Sequence, residues 1–96
     1  MLYTVVKPNS YQDSINLMLL TNRINALDGV VQSQIMMGTD ANKDIYEAAG
    51  LLTPEAQAAA PSDMVIVVDA VDASVVDVVL DEVKAFLDDL SVKKQT

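Results

Sequence analysis

The chain has 96 residues, 51% of them hydrophobic, and six Lys and Arg against fourteen Asp and Glu leave a net charge of −8. This length makes about one small domain of roughly 100 residues, without room for a two-domain catalytic cleft, and most of its apolar content is needed for one core. The acidic balance repels phosphate backbones and anionic lipid, so no nucleic-acid or membrane partner is expected, and the lack of Cys and His removes disulfides, thiolate nucleophiles, zinc ribbons and the usual general base.

Met1 to Lys7 is short and mixed, and Pro8 and Asn9 follow at once, which is unlike a targeting signal. The longest apolar run, Met64 to Val68, is too short to span a bilayer, and a cytoplasmic protein is expected. Leu2 to Lys7 is β-rich and reads as the first strand, ended by Pro8. Ser10 with Asp13 forms a variant capping box, so a helix is predicted to start there, with Leu17, Leu20, Ile24 and Leu27 on one face and Gly29 as the stop. Val30 to Met37 is predicted as the second strand, with Val31, Ile35 and Met37 on one face and Gln32 and Gln34 on the other. Asp40 to Ala49 is predicted helical, with Ile45, Ala48 and Ala49 on one face before Gly50. Thr53 and Pro54 open a further short helical turn, which ends by Pro61. Met64 to Val68 is apolar throughout, as in a central strand covered on both faces. Asp72 caps a final amphipathic helix striped by Val75, Val79, Val83, Phe86 and Leu90, and residues 91–96 read as a polar tail or linker after a single domain over 1–90.

The order strand, helix, strand, helical insertion, strand, helix suits two α/β architectures. In a ferredoxin-like α+β sandwich, strands one and two are parallel, strand three lies antiparallel between them, and residues 40–63 form a helical insertion. In a small Rossmann-like unit all three strands are parallel. The ferredoxin-like fold fits the cadence of the sequence better. It lacks the usual fourth strand, leaving strand one at an edge where self-association or partner docking is expected.

Two strand-to-helix loops hold the candidate anion- or ligand-binding residues: Lys7 and Ser10 in the first, Gly38, Thr39, Asn42 and Lys43 in the second. Each loop ends at a helix N-terminus, where free N–H groups and the macrodipole favour an anion, although capping is the ordinary use of Ser10 and Thr39. Asp77 and Asp81 share a helical face but lack the converging oxygens that a hard cation needs, so a solvated face is expected and no metal site. Met18, Met36 and Met37 read as core filling, with a flexible ligand pocket as the alternative. No Ser, Thr or Lys has a His or Cys partner, so no catalytic residue is assigned.

At Tyr11-Gln12-Asp13-Ser14-Ile15-Asn16-Leu17-Met18, and again at Met36-Met37-Gly38-Thr39-Asp40-Ala41-Asn42-Lys43, the sequence resembles the N-terminal region of the FdrA family. These are acyl-CoA synthetase-like proteins related to the α subunit of succinyl-CoA synthetase. The resemblance runs over essentially the whole chain, with Asp40 standing where some relatives have Pro. It implies membership of a system linked to oxamate carbamoyltransferase activity in allantoin degradation, or to acyl-CoA chemistry. It carries no catalytic residue onto this chain, because the ligase-type machinery belongs to domains that follow in the family. CoA or a nucleotide would likewise belong to the parent enzyme, and no cofactor is expected for this domain. The implied function is a non-catalytic N-terminal assembly or substrate-binding module, with a homo-oligomer or FdrA-type catalytic domains as partners. A stand-alone small-molecule-binding regulatory module is the alternative.

Overall fold

A computed structural model describes residues 1–94. The elements run β1 (Leu2–Lys7), α1 (Ser14–Asn25), β2 (Val30–Met37), α2 (Asp40–Ala48), α3 (Pro54–Ala58), β3 (Met64–Ala70) and α4 (Ala73–Lys94). The sheet has the order β1-β3-β2, with β3 antiparallel to both neighbours. This is the ferredoxin-like arrangement, and the all-parallel alternative is excluded. The helix α4 continues to Lys94, past the boundary expected at residue 90, and residues 95–96 of the expected tail lie outside the described residues.

Burial on both faces explains why β3 reads as an unbroken apolar run. Met64, Ile66, Val68 and Ala70 point into a core with Leu17, Leu20 and Ile24 of α1 and Val79 and Val83 of α4. Val65 and Val67 point the other way, into a second cluster with Tyr46, Leu51, Ala56 and Ala59. The helical insertion is therefore the cover of the second sheet face. Each fully buried Val contributes about 1.5–3 kcal/mol through area removed from water, so both layers matter to stability.

Three local predictions are corrected. The helix α1 is capped by Asp13, whose Oδ1 accepts from the Asn16 N–H at 2.9 Å, while Ser10 Oγ donates to the Pro8 carbonyl outside the helix. In β2 a register shift between Val30 and Gln32 turns Val31 out to 66% exposure, and Ser33 joins Ile35 and Met37 on the inner face. In α2 the buried side chain is Tyr46, whereas Ile45, Ala48 and Ala49 are exposed.

The backbone bonds fix which groups the two edge strands leave outward. Ala70 N–H donates to the Met1 carbonyl and Gly38 N–H to the Asp63 carbonyl, extending the two registers by one residue. Antiparallel alternation then turns the N–H and C=O groups of Leu2, Thr4 and Val6 away from β3 on one edge, and those of Ser33, Ile35 and Met37 away from it on the other. Among the described residues both edges lack a neighbouring strand.

Candidate functional site

The β1–α1 and β2–α2 loops meet the same end of the sheet, as both architectures required. The turn before β3 fills the space between them. Asp63 Oδ1 accepts from the Asn9 N–H at 3.2 Å and Oδ2 from the Ala60 N–H at 3.0 Å, while Ser62 Oγ donates to Asn9 Oδ1. Gly38 is needed for this contact, because a Cβ there would stand 2.5 Å from the Ala60 carbonyl oxygen. Thr39 Oγ1 caps α2 by accepting from the Asn42 N–H, and Lys43 Nζ donates to the Ala59 carbonyl at 2.7 Å. Lys7 remains in β1 opposite Met64. Gly38, Thr39, Asn42 and Lys43 are thus brought together as a tie between β2, α2 and the Ala59 turn. Ser10 Oγ donates instead to the Pro8 carbonyl in the other loop, which Asn9 links to the Asp63 carboxylate.

A more open feature lies beside this tie. A groove of about 590 Å³ runs along the outer flank of β2 beneath α1. Leu17, Ile35 and Met37 form its apolar base, with Met18 and Met36 also lining it; Met37 is core filling as expected and Met36 packs against the second cluster, but Met18 is exposed and only walls the groove. The polar lining is dominated by side-chain amides: Gln12, Asn22, Asn25, Gln34 and Asn42. No charged residue lines it, which is unusual ground in a chain of net charge −8. Asn25 Oδ1 accepts from the buried Ser33 hydroxyl at 2.8 Å, and Asn42 Nδ2 donates to the Met37 carbonyl at 2.9 Å, so two amides are already oriented by the fold. Amide groups present a donor and an acceptor together, and the groove suits a neutral ligand that does the same. The sequence named Thr39 and Asn42 of this lining, and Met18, Met36 and Met37 as the alternative of a ligand pocket, but missed the amides of α1 and β2. Their only signal was a run of Asn and Gln on faces that face each other after folding.

Behind the groove, Tyr46 crosses the second core layer. Its hydroxyl accepts from the Met36 N–H at 2.9 Å and donates to the Val65 carbonyl at 2.7 Å. Met36 and Val65 are opposite one another in the ladder, so the phenol bridges the two strands at that position. Burial is the larger influence on this hydroxyl and pushes its pKa up, with the Met36 N–H opposing. It bridges the two strands as a neutral phenol.

The family model described as AllF, heavy metal-associated domain, matches residues 1–96. Heavy metals favour soft thiolate or imidazole ligands, and this chain has neither Cys nor His. The oxygen donors of the β1–α1 loop are engaged elsewhere, Asp13 on the Asn16 N–H and Asn9 with Ser62, and no group of His, Cys, Asp or Glu among the described residues could hold a metal ion. The residues do not fit a heavy metal. No helix of the described residues is long and apolar enough to cross a membrane. The chain is 46% identical over 65 residues to a protein of Escherichia coli (strain K12) called uncharacterized protein YahF, a match over 68% of this chain and 13% of that protein. No solved structure gives a significant match. With a model spanning its full length and the ferredoxin-like topology in place, the chain belongs to the AllF heavy metal-associated domain family, as a small N-terminal-type binding module without the metal ligands.

Proposed function

We propose that this domain is a non-catalytic assembly or substrate-binding module of an FdrA-type acyl-CoA synthetase-like system that carries out oxamate carbamoyl transfer. The observation that carries this reading is the uncharged, amide-lined groove between α1 and β2, which offers recognition without a nucleophile and base. The AllF family and the relation to YahF, of which the matched segment covers only 13%, agree with a module that serves larger catalytic polypeptides. Cytoplasmic placement and partnership with such polypeptides are part of the same reading, and CoA or nucleotide would sit on them and not on this chain. The groove's volume of about 590 Å³ also supports a second reading, a stand-alone module that binds a small neutral molecule and regulates.

Coupled assays with oxamate, carbamoyl phosphate, ATP and CoA should be blank for this chain alone. Its addition should raise turnover by an FdrA-type catalytic polypeptide that lacks its own N-terminal region. Turnover by the chain alone that Lys43→Ala abolishes would overturn the reading, and binding without any effect on the catalytic polypeptide would favour the regulatory module.

A further inference from the structure

We propose that the groove takes a small neutral ligand by an unionised primary carboxamide, which pairs with the backbone N–H and C=O of Ile35. This rests on reading the groove as a binding site and names the chemical class that it takes. Ile35 is buried and belongs to the apolar base of the groove, yet strand alternation turns its N–H and C=O away from β3. Neither group has a backbone or side-chain partner among the described residues. Buried backbone groups are almost always paired, so water or a ligand has to complete these two. A primary carboxamide presents an acceptor and a donor side by side. Its carbonyl accepts from the Ile35 N–H while its NH2 donates to the Ile35 C=O.

Two side chains set the direction of that head group. Asn25 stands on the Ser33 side of Ile35, where its Oδ1 accepts from the Ser33 hydroxyl and its Nδ2 has no partner among the described residues. Asn42 stands on the Met37 side, where its Nδ2 donates to the Met37 carbonyl and its Oδ1 likewise has no partner. A free donor beyond the Ile35 N–H and a free acceptor beyond its C=O direct the ligand carbonyl toward Asn25 and the NH2 toward Asn42. A carboxylate head would lose its water where no charged residue lines the groove, and it has no proton to give to the Ile35 C=O. A strand-like partner fits less well, because Asn42 already holds the Met37 carbonyl and β2 is irregular at Val30/Gln32. The volume of about 590 Å³ is that of a small-molecule site, and Leu17 and Met37 in its base, with Met18 and Tyr11 lining it, suit an apolar or aromatic body.

Titration of the ¹⁵N-labelled chain with benzamide, benzoate and N,N-dimethylbenzamide tests the head group. Benzamide should shift the Ile35 amide saturably and bind about tenfold or more tightly than either analogue, since one is charged and the other has no N–H to give. Asn25→Asp keeps the acceptor for the Ser33 hydroxyl but removes the free donor, and it should weaken benzamide about tenfold. Acetyl-trialanine amide, long enough to pair along the strand, should bind no more tightly than benzamide. Equal binding of benzoate, tighter binding of the peptide, or no saturable shift at Ile35 with any probe would overturn the proposal. Each of these outcomes reads the ligand class on the chain alone, whereas the functional reading stands or falls on the response of the catalytic polypeptide.

Discussion

Tyr46 is the residue on which the second core layer depends. Its ring is buried and its hydroxyl supplies the partner of a backbone donor on β2 and a backbone acceptor on β3. Removing the hydroxyl alone leaves two polar groups short of a partner in a buried place. Tyr46→Phe should therefore destabilise the domain by about 1–3 kcal/mol in denaturant unfolding, with faster exchange at the Met36 amide. The pH dependence has a definite sign. The folded phenol titrates above its unfolded value near 10, so the stability it contributes is fully present below pH 10 and is lost as the pH rises through the folded pKa. The unfolding midpoint should fall on the alkaline side, and fall less in Tyr46→Phe. Sequence periodicity placed Ile45 inside and missed Tyr46, because a helix lying on a sheet face through one large side chain shows no apolar stripe.

Among the elements, those with a regular pattern on a regular backbone were legible in the sequence. The β3 run and the stripe through Val79 and Val83 in α4 appear where their spacing put them. The β2 pattern was legible only in part. Strict alternation assigns Val31 to the core, and the bulge at Val30/Gln32 cancels that assignment for one residue while leaving Ile35 and Met37 inside. The start of α1 failed for a related reason: Ser10 and Asp13 are both competent caps, and only packing selects the second. The candidate groove was the least legible, since it is made by amides of separate elements whose approach depends on topology. At the start of α4 the local chemistry was readable and yields a prediction. Asp72 Oδ1 accepts from the Ser74 hydroxyl, the Val75 N–H and the Ser74 N–H, and these bonds hold its carboxyl below the usual range. A depressed folded pKa means the cap's charge-dependent stability is present above the unfolded value near 4 and lost as the pH falls through the folded one. The stability difference between the unmodified chain and Asp72→Asn should be constant near neutrality and shrink below about pH 4, as urea midpoints across pH would show.

At the scale of the whole molecule, charge and chemistry are distributed unevenly. Fourteen acids give the surface its sign, while the flank made by α1 and the edge of β2 is left neutral. Gly38 and Lys43 secure the end of that flank by tying β2 and α2 to the turn before β3. The outcome is a small α+β module with one neutral, amide-lined flank, on which the proposed reading places recognition. Spectra of the ¹⁵N-labelled chain, recorded as an FdrA-type catalytic polypeptide is added in the presence of oxamate, test that account most directly. Saturable changes are predicted at Met18, Asn22, Gln34 and Asn42, around the groove. Spectra that do not change, or changes confined to Asp69 through Asp72 at the opposite end of the sheet, would contradict it.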